Sequence, residues 1–118
     1  MKTGIDLVDV SRFKIKNLEA FLEKYYAESE IDYILTKKNK LETIAGIFAA
    51  KEAVLKAFKI GIGNGVSLKQ IEICHNETNP FVYENETIKD LLKKENCLQI
   101  DVNISHTKNL ATAICIIN

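Results

Sequence analysis

The chain has 118 residues, 47% of them hydrophobic and 27% charged, and its 16 basic and 16 acidic side chains cancel to a formal charge of zero. That length gives one domain, residues 1–118, with a single core, and the lack of a basic excess argues against electrostatic binding to nucleic acid. No apolar run reaches the roughly 20 residues that a membrane span needs, so no membrane partner is expected.

Residues 1–6 carry an acid inside the first apolar run, unlike a secretory signal. Cys74, Cys97 and Cys115 are odd in number, far apart and set in or beside apolar segments. Buried, reduced thiols in a cytoplasmic protein are the expected account.

Residues 3–10 read as a strand rich in β-branched and large apolar side chains, with Asp6 as the misfit among Ile5, Leu7 and Val8. A carboxylate in such a setting needs a cation or a donor. Ser11 is expected to cap a first helix whose start gathers Arg12, Lys14 and Lys16, a basic cluster suited either to an acidic partner or to plain solvation. A short second helix, capped by Ser29, is expected over residues 29–35, then a polar connector, then one long helix over residues 41–60. Stepping about 100° per residue puts Ile44, Ile47, Phe48, Leu55 and Phe58 on one buried arc, with Lys51 in its middle and Glu52 on its edge in line with Lys56. The ordinary alternatives are a snorkelling Lys51 and a Glu52–Lys56 helix pair.

Gly61, Gly63 and Gly65 are expected to stop that helix; a loop of this kind can also cradle phosphates, although phosphate loops usually precede a helix. Residues 70–74 and 81–83 read as a strand pair and residues 84–94 as an amphipathic helix. Residues 99–105 and 110–117 read as a hairpin turning at Ser105–Asn109, its second strand central. The expected fold class is α+β: an antiparallel β-sheet packed against one long helix, with smaller outer helices.

Asp6, Glu52 and His106 are then three polar groups in apolar surroundings. Two carboxylates with open positions suit Mg²⁺, which takes one or two of them together with substrate phosphate oxygens. Lys56 would point at the same phosphates, giving transfer or hydrolysis at a pyrophosphate. A coenzyme-binding module without catalysis and a plain interaction domain are the rival readings; neither needs the acidic pair.

Three stretches together resemble one family. Gly4-Ile5-Asp6-Leu7-Val8-Asp9-Val10-Ser11-Arg12, Phe48-Ala49-Ala50-Lys51-Glu52-Ala53 with Lys56-Ala57, and Ile104-Ser105-His106-Thr107-Lys108 followed by Ala111-Thr112-Ala113 are similar to the motifs of the bacterial holo-acyl-carrier-protein synthases. These are small phosphopantetheinyl transferases, and the motifs stand in the same order. The resemblance implies the 4′-phosphopantetheinyl transferase-like fold and transfer of the 4′-phosphopantetheine arm from coenzyme A to a serine of acyl carrier protein, for fatty acid biosynthesis. It implies Mg²⁺ on Asp6 and Glu52, and catalytic roles for Glu52, Lys56 and Asp32. It further implies coenzyme contacts at Lys51, Lys56, Gly61, Gly63, His106 and Thr107, carrier docking on Arg12 and Lys16, and a homotrimer with its sites between subunits. Ile47 stands where the motif often has arginine, which leaves one coenzyme phosphate contact either missing or supplied elsewhere, with Lys59 as a candidate for that charge.

Overall fold

A computed structural model describes residues 1–61, 65–77 and 79–118. Its axis is α3, Lys40–Ala57. Ala45, Ala49, Ala50, Ala53 and Ala57 favour the helix and also let neighbours approach closely. Every residue from Ile44 to Leu55 except Glu52 is buried, so the single apolar arc expected for this helix is too narrow. α3 is enclosed by a sheet on one side and by helices on the other.

The sheet consists of β1 (Lys2–Asp9), β4 (Ile100–His106) and β5 (Leu110–Ile117), antiparallel in the order β1-β5-β4. α1 (Leu18–Tyr25), α2 (Glu28–Leu35) and α4 (Glu86–Lys94) lie outside, and β2 (Ile73–His75) pairs with β3 (Pro80–Val82). The architecture is the expected α+β arrangement, with β5 central as predicted.

Alternation along β1 turns Gly4, Asp6 and Val8 toward α3 and leaves Thr3, Ile5 and Leu7 outside. Asp6 is therefore not hemmed in by Ile5 and Leu7, which are 65% and 64% exposed; it is an inward residue of the pleat. Gly4 is the crossing point. A Cβ there would lie 2.0 Å from the Ala53 carbonyl oxygen and 2.5 Å from the Ala57 nitrogen, so only glycine lets β1 reach the helix.

Local boundaries differ from the expectations, each for a visible reason. Ser11 caps no helix: Val10–Phe13 is a short 3-10 turn that buries Val10 and Phe13 at the same time. α1 begins later, at Leu18, where the Asn17 side chain accepts from the Ala20 amide at 3.2 Å. Arg12, Lys14 and Lys16 thus precede the helix and do not oppose its dipole. α2 starts at Glu28 without help from Ser29, because Glu30 reaches back to the Ala27 amide at 2.7 Å. α3 ends before the glycines. Lys59 takes a left-handed φ of 56°, with Lys59 N–H donating to the Lys56 carbonyl and Ile60 N–H to the Leu55 carbonyl, the paired bonds of a Schellman cap. β4 runs on to His106, which pairs with Ala111 and so belongs to the strand, leaving the turn to the residues after it.

Candidate active site

Where β1 crosses α3, three charged side chains meet. Lys56 donates to Asp6 Oδ1 at 2.9 Å and to the Ile5 carbonyl at 3.1 Å. Asp6 is mostly enclosed, its side chain 12% exposed, whereas that of Lys56 is 54% exposed. The second Asp6 oxygen, Oδ2, is buried with no hydrogen-bond partner among the described residues. Glu52, one turn before Lys56, is half-buried beside them. Burial, then the charge of Asp6, pushes the Glu52 carboxyl above the usual range, while Lys56 and Arg12 pull it back. The spot is thus rich in carboxylate oxygen and short of positive charge. No third acidic, histidine or cysteine ligand joins the pair among the described residues.

Glu52 opens into a cleft of about 570 Å³ shared with Arg12, Lys24, Phe48, Leu55 and Leu68. The Arg12 guanidinium stacks over the Phe48 ring at 4.9 Å, which fixes it at the cleft mouth. Lys24, which the sequence reading passed over, adds a second cation to that rim. Its only signal was its place on α1 between Phe21 and Tyr25, two other cleft residues.

His106 is elsewhere. It lies 3.1 Å from Glu42 at the opposite end of α3, and ten residues of helix from Glu42 to Glu52 span about 15 Å. Within one chain the structure brings Asp6, Glu52 and Lys56 together and leaves His106 apart. The histidine lines its own cleft of about 420 Å³ with Tyr33, Lys37, Lys38, Ile47 and His75. Thr107 follows in the turn, where its hydroxyl accepts from the Leu110 amide at 3.1 Å. Asp32 is exposed on α2, next to Tyr33. No hydrogen bond or ion pair joins Asp32 to Glu52 among the described residues. Lys16 is exposed in the connector before α1 and Gly61 is exposed beyond α3, while Gly63 lies outside the described residues.

One expectation is corrected. Lys51 is not a coenzyme contact: it is wholly enclosed, and its ammonium is taken up by Glu30 at 2.6 Å and by the carbonyls of Leu68 and Ile71 at 2.8 Å each. Nor does it snorkel. Within one chain Ile47 lies mid-helix in the His106 cleft and Lys59 beyond the far end of α3, so the two positions do not share a cleft. Lys37 and Lys38 are the cations of that cleft.

A model of the 4′-phosphopantetheinyl transferase superfamily matches residues 2–115. The holo-acyl-carrier-protein synthase of Finegoldia magna is 39% identical over 118 residues, covering 99% of this chain and 95% of its own. That of a Thermoanaerobacter strain is 41% identical over 117 residues, covering 96% and 83%. Among solved structures, the Helicobacter pylori holo-acyl-carrier-protein synthase in complex with coenzyme A superposes with a TM-score of 0.82 at 31% identity, over 98% of this chain and 99% of that one. The Neisseria meningitidis synthase gives a TM-score of 0.87 at 23% identity over 99% and 97%, a likeness of fold alone.

Proposed function

The chain belongs to the 4′-phosphopantetheinyl transferase superfamily, and from that premise we propose that it is a holo-acyl-carrier-protein synthase. As one transferase domain it moves the 4′-phosphopantetheine arm of coenzyme A to a serine of acyl carrier protein. The serine oxygen bonds to the β-phosphorus of the coenzyme as the bond to the bridging oxygen breaks, its proton passes to the Glu52 carboxylate or to a water, and adenosine 3′,5′-bisphosphate leaves with the bridging oxygen. The observation that carries this reading is the Asp6–Glu52–Lys56 group on the crossing of β1 and α3. Near-full-length identity of about 40% to named synthases supports the substrate pair.

The residues fit a divalent cation. A buried, unpartnered Asp6 oxygen and a neighbouring carboxylate with raised proton affinity make a site that lacks one positive partner. Two carboxylates, with no third acidic, histidine or cysteine ligand among the described residues, suit Mg²⁺, which fills its remaining positions from phosphates and water. When bound, the ion would supply charge neutralisation at the pyrophosphate. Lys56, half-exposed on its outer side, is placed to add a further cation to those oxygens. The Arg12 and Lys24 rim, with exposed Lys16 in the connector between them in sequence, offers basic docking for an acidic carrier.

A homotrimer completes the proposal. Ile5, Leu7, Leu110 and Ile114, on the outer sheet face, are 65%, 64%, 43% and 38% exposed, an apolar surface for neighbouring subunits. His106 sits too far from Glu52 for one coenzyme site inside a single chain, so shared sites at a boundary reconcile both roles. The enzyme then works in the cytoplasm and serves fatty acid biosynthesis. Incubating it with apo acyl carrier protein, coenzyme A and Mg²⁺ tests the reading: the carrier gains the mass of one phosphopantetheine arm, and an unchanged mass rejects it.

A further inference from the structure

Lys51 and Glu30 are the two fully enclosed charged residues of the described chain. All three N–H donors of Lys51 are used, on Glu30 Oε1 and on the carbonyls of Leu68 and Ile71, and the ammonium lies 5.2 Å from the centre of the Tyr26 ring. Glu30 is equally saturated: Oε1 also accepts from the Ala27 amide at 2.7 Å, and Oε2 accepts from the Ile73 amide at 2.9 Å. The pair thus ties the start of α2, the middle of α3 and the segment leading into β2 into one knot.

That segment matters because Gly65, Ser67, Leu68 and Gln70 line the cleft into which Glu52 opens. It has little regular structure of its own, only the 3-10 turn Leu68–Gln70. Its other polar ties to neighbouring elements run from half-buried Asn85 to the Gln70 carbonyl, from exposed Lys69 to the Glu23 carbonyl and from exposed Gln70 to the Thr87 hydroxyl. A buried ion pair seldom adds stability over an apolar pair of the same shape. What this one supplies is geometry, two short bonds to backbone carbonyls at fixed positions.

We infer that Lys51 is a positioning residue: its charge matched by Glu30, it pins the Leu68 and Ile71 carbonyls through its own two bonds, so that residues 65–71 stand as a fixed wall of the cleft beside Glu52. The catalytic part of this inference rests on the transferase reading; the structural part does not.

The test uses the neutral double variant Lys51→Met/Glu30→Gln, which strands no buried charge, and the single variant Glu30→Gln, which keeps both carbonyl bonds of Lys51. Amide hydrogen exchange on the protein alone is read at Gln70 and Ile71, whose N–H groups close the turn on Ser67 and Leu68. The double variant should melt near the wild-type temperature and keep β1 and β5 protected, yet exchange at Gln70 and Ile71 about tenfold faster or more. Its KM for coenzyme A should rise by about tenfold while kcat changes less. Glu30→Gln should lower the melting temperature but retain protection at both amides. Wild-type protection and KM in the double variant would overturn the inference, because a purely packing role recovers together with stability. Loss of protection in Glu30→Gln would overturn it equally, and that variant decides the matter if the double variant does not fold. If the wild type fails to modify carrier protein, the transferase reading falls and the exchange data still judge the wall.

Discussion

Lys56 grips both the Asp6 carboxylate and the Ile5 carbonyl, so the strand and the helix are joined at the point where the chemistry is proposed. Asp6 reaches that point only because Gly4, two residues earlier on the same face, lets the backbones touch. Gly4→Ala is expected to cost more than about 3 kcal/mol or to prevent folding, since both atoms that crowd the new Cβ are backbone and cannot step aside. Thermal unfolding would measure it.

A second residue-scale effect concerns His75, whose ring stacks on Tyr33 at 3.8 Å while Lys37 lies over that tyrosine at 4.6 Å. Burial, then the Lys37 charge, lowers the His75 pKa below its ordinary value of 6.5. In the window below that value the unfolded chain binds more protons than the folded one, so this contribution to stability is present above about pH 6.5 and is lost as pH falls. His75→Phe keeps a ring on Tyr33 and removes the titration. Its melting temperature should therefore fall less than that of the wild type between pH 7 and pH 5, and an equal fall would contradict the assignment.

At the scale of elements, the end of α3 is the least economical feature. Lysine in the left-handed region is disfavoured, yet Lys59 occupies the position where a Schellman cap usually has glycine. Lys59→Gly should stabilise the protein by about 1 kcal/mol, read as a higher melting temperature with unchanged transfer activity. No sequence signal marked Lys59 as the helix cap, because the glycines just beyond it were the stronger stop. α1 shows the same limit: Ser11 and Asn17 are both good caps, and only the burial of Val10 and Phe13 decides between them. Strand alternation, by contrast, was plain in residues 99–117, where one face is core and the other is not, and β4 and β5 fell within a residue of their expected bounds.

The site was legible in part for a related reason. Asp6, Lys51 and Glu52 all break an apolar pattern, and sequence gives them the same signal. Two of them lie in one charged group open to a cleft, while the third closes a buried knot with Glu30. The difference depends on what surrounds each side chain in three dimensions, and Glu30, on a separate helix, carried no mark of burial. His106 was legible as a polar group but not in its location.

For the molecule as a whole, the distance between His106 and Glu52 makes assembly part of the proposed catalysis. Glu52→Ala and His106→Ala are each expected to lose most activity alone. Mixed and reassembled, they should regain a fraction of it, since some boundaries then carry neither lesion. No recovery on mixing, with reassembly shown by mass, would place both residues in one chain's site.

The most direct measurement is calorimetric titration of Mg²⁺ into the protein saturated with coenzyme A, for the wild type and for Asp6→Asn and Glu52→Gln. The wild type should bind the ion saturably, and each variant, still folded by circular dichroism, should bind it at least about tenfold more weakly. Wild-type affinity in either variant would contradict the claim that these two carboxylates together hold the metal.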